Sequence, residues 1–428
     1  MAAETARIRW PRIVQDMIDD VESTIRDQDH SLVVAEDGTK IARRLTDLKR
    51  DIIDDKPLTT LPSQASPDFQ WVNDRIEESN SWSWLDSPWL FTECYMYSRV
   101  RSIFLESSSW KTYDVFERQK KSTFINSQVA VQELALRYID TVSELADSRM
   151  TPEQQSALFL EMAQVALWGN ATDLSMLTHL SIEDLQSLQG RETIQKQQRN
   201  IVDNDLPQVW AYLTSAEFTS GERMIDIVLD NSGFELFTDM VFAAYLLEFN
   251  IAKRIRFHVK DFPWFVSDAM TSDVQWLLEA LKSTQYFANR ACMDALSSRL
   301  EGLFEDGKIE IASHWFWTAG SSYHEMHERA PELVADLKSR DLVIFKGDLH
   351  YRKLTNDGLW PHLTSFKRAL GPLVRQGGPR ILSLRTNKAD VCVGLESEEQ
   401  LKELEAECPN GGWVRNGKYA VASFTKGD

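Results

Sequence analysis

The stretch IDIVLDNSGFELFTDMVFAAYLL, residues 225–247, reads as a short buried strand, a polar turn and a long apolar helix. Ile225 to Leu229 is too brief for a helix and rich in β-branched side chains. Asp230-Asn231-Ser232-Gly233 then supplies turn and capping chemistry before the apolar run from Phe234. The same alternation recurs downstream, with strands predicted at Ile255 to Val259, Ile309 to Ser313, Leu342 to Phe345 and Ile381 to Leu384, separated by longer amphipathic segments. That pattern predicts an α/β fold with a mostly parallel sheet and flanking crossover helices. A last hairpin is expected in WVRNGKYAVASF (413–424), turning at Asn416-Gly417.

Upstream of residue 220 strand signals are scarce and helical ones dominate. Ile41, Leu45, Leu48 and Ile52 recur at helical spacing, as do Val131, Leu134, Ile139, Val142 and Leu145. Thr151-Pro152-Glu153 places a capping hydroxyl before a proline at the first helical position, and Ser181 precedes Asp184 at capping-box spacing. Residues 187–205 are polar. We therefore expect a helical N-terminal region over 1–205 and an α/β domain over 206–428, the latter carrying whatever site the strand ends form.

Length and composition narrow the function. A chain of 428 residues with 43% hydrophobic and 26% charged residues is globular and long enough for two domains. A net charge of −18, with no basic run to offset it, repels nucleic acid and anionic membranes alike, so neither is an expected partner. The four scattered cysteines give no disulfide framework or zinc ribbon, and no segment reaches the length of an apolar membrane span. The N-terminus has no apolar signal core, so a cytoplasmic or nuclear location is expected. Nothing in the sequence fixes the oligomeric state, and a monomer is the default expectation.

The predicted strands run directly into polar residues: LDNSG, KDFPWFVSD, KGDLHYRK and RTNK. In a parallel sheet these carboxyl ends share one edge, where ligands bind. Asp230, Asn231 and Asp268 offer hard oxygen ligands for Mg²⁺ or Mn²⁺. Lys346, Arg352, Arg385 and Lys388 supply positive charge for an anion, and the amides near Ser232 and Gly233 open a helix that could receive a phosphate. Taken singly each group has a plainer reading, as a turn, a cap or a solvated loop. Their convergence on one edge favours a site.

Other features point less far. His324 and His327 could share a helix face but lack a third ligand, and the tryptophans of SWSWLDSPWLF read as core rather than a base-stacking platform. There is no G-x-x-x-x-G-K-[ST] loop, G-x-S-x-G elbow or H-E-x-x-H motif.

Several motifs in order resemble one known family. SPWLFTECYMY (87–97), LWGNATDLS (167–175), LDNSGFELFTD (229–239), PWFVSD (263–268), FKGDLHYRKL (345–354) and the Arg-Thr-x-Lys motif Arg385-Thr386-Asn387-Lys388 together resemble the damage-control phosphatases, in their Arg-Thr-x-Lys subfamily. The resemblance implies a helical N-terminal region preceding a Rossmann-like α/β domain, with a divalent metal (Mn²⁺, Mg²⁺, Co²⁺ or Ni²⁺) held by Asp230, Asn231 and Asp268. It also implies substrate contacts from Asp348, Leu349, His350, Tyr351, Arg352 and Lys388, with His350 standing where relatives often carry Asn. Glu93, Arg99, Asn170 and Asp173 lie in family-like motifs and form a second tier.

The activity so implied is hydrolysis of small phosphorylated metabolites, sugar phosphates such as fructose 1-phosphate foremost. Asp230, Asp268, Asp348 and Lys388 are then the catalytic candidates. Some relatives are described instead as carboxyl methyltransferases using S-adenosylmethionine, for which Glu235 and Asp268 would match the cofactor contacts. A common methyltransferase turn would carry a Gly-x-Gly-like pattern, and LDNSGFE has one glycine. A non-catalytic scaffold is the third reading, against which the intact ligand set argues.

Overall fold

The computed structural model describes residues 2–27, 32–79, 81–146, 150–169, 198–215, 223–287, 289–375 and 377–427. They divide into two compact units. The first comprises residues 1–122 with two returning segments, 260–270 and 313–321; the second comprises 123–259, 271–312 and 322–428. This division differs from a single boundary at 205. The helices Gln128–Ala146 and Pro152–Trp168 pack on helices of the sheet-bearing unit, which claims them.

In the first unit the helices Ala2–Asp27 and Leu32–Ile53 lie along each other. The expected stripe is their seam, since Ile41, Leu45, Leu48 and Ile52 are all buried. Of the tryptophan-rich segment Trp84 is core, packed on Trp10 and Tyr95, while Trp82 and Trp89 are half-buried, Trp82 against Phe91.

The second unit holds a seven-stranded sheet. Its strands are β1 (Ile201–Asn204), β2 (Met224–Val228), β3 (Arg254–Val259), β4 (Ile309–Ser313), β5 (Leu342–Lys346), β6 (Ile381–Thr386) and β7 (Ala420–Thr425). Their order is β1-β7-β6-β5-β2-β3-β4. β6, β5, β2 and β3 are mutually parallel. β5 is buried on both faces, which explains its unbroken apolar run. The helix Gly233–Glu248 is buried from Gly233 to Leu247, and each large apolar side chain there contributes about 1.5–3 kcal/mol. Among the described residues no helix is long and apolar enough to cross a membrane.

Two expectations differ from this sheet. The hairpin over 413–424 does not form: Gly412–Val414 is a 3₁₀ turn, and β7 pairs antiparallel with β6 instead. Asn416-Gly417 does turn the chain, with Gly417 at φ +73°, but into the sheet's interior rather than onto a local partner. β1, inside the polar stretch, escaped the sequence reading because only Ile201 and Val202 of its four residues are apolar. It pairs parallel with β7 and so runs against the central strands. The capping box at Thr151 is present, closed by Gln154, whereas Ser181 and Asp184 lie outside the described residues.

β1 carries a cost. Burial pushes the Asp203 carboxyl from 3.8 up to about 7, with Asp205 and Glu396 adding to it and the Ser423 hydroxyl opposing. A Cβ on Gly394, which sits at φ +96°, would fall 2.2 Å from Asp203 Oδ2, so the carboxyl has no room to turn outward. Because the folded-state value is raised, stability is greatest below pH 4 for this group and is lost as pH climbs towards 7. Asp203→Asn should therefore match wild type near pH 4 and exceed it at pH 8 by up to about 4 kcal/mol. Urea melts at the two pH values check this, and an advantage that does not grow with pH refutes it.

Candidate active site

In the second unit the chain order reverses at β2. The helix Gly233–Glu248 leads from β2 to β3 on one side, while β5 lies on the other. Such a switch point opens a crevice at the carboxyl ends of the two strands. Asp230 and Asn231 follow β2 there, and Gly347 and Asp348 follow β5. The two loops touch closely: a Cβ on Gly347, at φ +85°, would fall 2.0 Å from Asp230 Oδ2. Only glycine supplies both that conformation and that clearance.

Asn231 Nδ2 donates to Asp230 Oδ2 at 2.6 Å and to Glu235 Oε2 at 2.8 Å. The amide is thereby turned with its oxygen away from both carboxylates. Asp230 is buried at 5% exposure and Asn231 is half-buried, both in the loop that follows β2 at the switch point. Among the described residues no group of three or more His, Cys, Asp and Glu side chains is arranged as a metal cage. A site built on a carboxylate and an amide oxygen suits Mg²⁺ or Mn²⁺, which retain waters and accept substrate oxygens.

Below them lies a buried ion cluster. Lys346 Nζ donates to Asp239 Oδ1 at 2.5 Å, Ala166 O at 2.7 Å and Glu235 Oε1 at 3.3 Å. Burial works against this ammonium, but Asp239 and Glu235 together outweigh it and raise its pKa. Burial likewise lifts the Asp239 carboxyl, an effect that Lys346 offsets only in part and Glu235 reinforces. Ala166 belongs to the last turn of the helix Pro152–Trp168, whose open carbonyls favour a cation. Gly169, just after it, lies against the helix Gly233–Glu248, where a Cβ would be 2.2 Å from Thr238 Oγ1.

Lys346, expected at a phosphate, is placed inward. With its three protons committed and the residue 1% exposed, it pins the floor of the crevice. Arg385 is also placed inward. It is fully buried, donating from Nε to Asp348 Oδ1 at 2.7 Å and from its other nitrogens to Val391 O and Ala389 O, with Tyr351 stacked beneath at 4.3 Å. Its partner Asp348 is half-buried and also accepts from the Lys388 backbone at 3.1 Å. Arg352 forms a two-pronged pair with Asp357, at 2.8 and 2.7 Å. Lys388 has an exposed side chain at the rim.

Leu349, His350 and Tyr351, also expected to contact substrate, are buried. His350 is wholly buried, with Nε2 3.2 Å from Leu229 O and Nδ1 2.5 Å from the Tyr323 hydroxyl. A carbonyl can only accept, so Nε2 carries the proton and the ring steadies the residue before Asp230. Tyr351 accepts from Val393 N at 3.0 Å, and Leu349 is buried. Glu235, expected as a cofactor contact in the methyltransferase reading, has both oxygens engaged with Asn231 and Lys346. His324 and His327 bond to the carbonyls of Ala369 and Leu373, as structural histidines do.

The first unit holds Asp268. Lys260 Nζ lies 3.0 Å from its Oδ2, with both side chains buried, and Lys120 Nζ reaches its carbonyl at 3.4 Å. The preceding Phe265 and Val266 take φ of +45° and +72°, strained for a β-branched residue, and Phe265 stacks on Tyr97 at 5.0 Å. Glu93 and Arg99 do not pair. Glu93 is buried, 2.9 Å from Arg9, with Trp89 donating to it at 3.0 Å; Arg99 donates to Thr60 O. Asn170 and Asp173 lie outside the described residues. Lys260, Asp239 and Gly347 were missed at first reading. The lysine after β3 and the glycine after β5 were the available signals.

A family model described as the damage-control phosphatase ARMT1-like domain matches residues 5–404. The chain is 34% identical to the damage-control phosphatase ARMT1 of Danio rerio, across 98% of this chain and 94% of that protein. It is 32% identical to the Homo sapiens protein of the same name, across 98% and 95%. A crystal structure of a DUF89 family protein from Pyrococcus horikoshii superposes with a TM-score of 0.41 at 12% identity, covering 99% of this chain and 97% of that one. So loose a superposition adds nothing to the strand order itself.

Gly347→Ala should destabilise the protein by on the order of 2 kcal/mol, from the left-handed backbone and the displaced Asp230 together. A wild-type urea midpoint would mean that the two loops are not held this closely.

Proposed function

The chain belongs to the damage-control phosphatase ARMT1-like family, and from that premise we propose that it is a metal-dependent phosphatase of small phosphorylated metabolites, sugar phosphates such as fructose 1-phosphate foremost. The observation that carries this reading is the pairing of Asp230-Asn231 with Gly347-Asp348 at the sheet's switch point, beside the Arg385 to Lys388 loop.

Asp230 and Asn231 would hold the metal, and the sequence reading adds Asp268 as a further ligand. A bound Mg²⁺, Mn²⁺, Co²⁺ or Ni²⁺ would supply Lewis-acid polarisation of a phosphoryl oxygen. The chain's own residues do the rest. The exposed Lys388 ammonium takes a phosphate oxygen, and the first amides of the helix Gly233–Glu248 favour the same charge. Asp348 keeps one oxygen on Arg385 and the Lys388 amide, which leaves its other oxygen to position a substrate hydroxyl or the attacking group. Arg385 acts through Asp348 and is a positioning residue.

The test is a panel of sugar phosphates assayed for orthophosphate release with Mg²⁺, Mn²⁺, Co²⁺ and Ni²⁺ in turn. Release is expected, abolished by chelation and reduced at least about 100-fold in Asp230→Ala. No release with any ion, or a fully active Asp230→Ala, would sink the proposal. Lys388→Met should raise KM about tenfold or more with a smaller effect on kcat, as loss of a ground-state phosphate contact does. An unchanged KM removes Lys388 from the substrate.

A further inference from the structure

We infer that Glu235 is a positioning residue that decides which end of the Asn231 amide meets the metal, an inference that rests on the metal reading above. A carboxamide has an accepting end and a donating end, and a hard cation binds only the oxygen. Asn231 Nδ2 has two protons, directed at two carboxylates: Asp230 Oδ2 at 2.6 Å and Glu235 Oε2 at 2.8 Å. An ionised carboxylate only accepts, so this arrangement is satisfied with the amide one way round and opposed with it reversed.

Glu235 is itself held. It stands four residues after Asn231, in the first turn of the helix Gly233–Glu248, and its Oε1 lies 3.3 Å from the Lys346 ammonium. That ammonium is fixed by Asp239 and by Ala166 O. Orientation therefore passes from a buried lysine to Glu235, from Glu235 to Asn231, and from Asn231 to the crevice. Hydrogen-bonded supports of this kind typically shift metal affinity by 10–100-fold when removed.

Glu235→Gln keeps the shape and breaks the logic. The glutamine oxygen goes to Lys346, the stronger pull, and its NH₂ then faces the NH₂ of Asn231, donor against donor. Asn231 must turn over or withdraw. Titration calorimetry of the full chain with Mn²⁺ at pH 8 should show affinity at least about tenfold weaker than wild type, with the melting temperature little changed. Glu235→Ala, which removes the Glu235 acceptor from both Asn231 and Lys346, is the second variant, with the same loss of Mn²⁺ affinity expected at a lower melting temperature.

Asp239→Asn is the control, because it removes a negative charge from the same cluster while its amide oxygen still accepts from Lys346, so the bonds of Glu235 to Lys346 and Asn231 remain. A change under about threefold is expected there, against the tenfold expected of an orienting contact. Wild-type Mn²⁺ affinity in the folded Glu235 variants overturns the inference, and so does an equal loss in Asp239→Asn, which would make the effect one of charge. If wild type itself takes up no Mn²⁺, or Asp230→Ala loses none of it, the metal reading has failed and this inference falls with it.

Discussion

The second unit is organised around one buried ammonium. Lys346 ends β5 with no exposed surface to spare, and its protons go to acceptors on two different helices. Removing such a charge from water costs several kcal/mol, which is recovered only if every proton is matched. Here one carbonyl at the end of the helix Pro152–Trp168 and two carboxylates on the helix Gly233–Glu248 do the matching. Glu235 and Asp239 are four apart, so they share a helix face and can approach one cation together. Loss of any one acceptor leaves a charge stranded, and single-partner losses of this kind cost about 3–5 kcal/mol. The cluster is thus a constraint on three elements at once, and it fixes the floor on which Asp230 and Asn231 rest.

Three consecutive residues then build the crevice from floor to rim. Lys346 points down in extended backbone, Gly347 turns the chain through the left-handed region, and Asp348 emerges half-buried beside Arg385. The turn has to be made there because Asp230 already occupies the space a side chain would need. Arg385 repeats the logic one strand over. Its guanidinium is sequestered between Tyr351, two carbonyls and Asp348, so it acts on the crevice only by fixing that carboxylate.

Much of this was legible in the sequence. The five predicted strands fall within a residue or two of those observed, because short apolar runs bounded by turn residues have few alternatives once they alternate with long helices. The polar residues after β2, β5 and β6 do share one edge, as parallel strands require. Depth was not legible. Lys346-Gly347-Asp348 reads as a solvated turn or as an anion grip, and nothing local shows that the lysine faces inward; that depends on Glu235, Asp239 and Ala166, each distant in sequence. Arg385 was hidden the same way, since a guanidinium at a strand end resembles a ligand contact until its carbonyl partners are known. β1 was lost for a different reason: two apolar residues carry no period, and its partner β7 lies more than two hundred residues away.

The burial of those cations changes the electrostatic argument for the site. Three of the four basic residues expected to grip an anion are engaged by carboxylates: Lys346 with Glu235 and Asp239, Arg385 with Asp348, and Arg352 with Asp357. Lys388 stands exposed at the rim. Around the crevice Asp230, Glu235, Asp239 and Asp348 therefore face Lys346, Arg385 and Lys388, a balance that does not by itself invite a phosphate into a protein of net charge −18. A dianion entering such a place requires added positive charge. A divalent ion on Asp230 and Asn231 would invert the local potential, turning an acidic pocket into an anion site at the point where the oxygens already gather. The same carboxylates that would repel a bare phosphate are the ones that favour the metal, and this reciprocity supports the metal-dependent reading more strongly than a row of free lysines would have done.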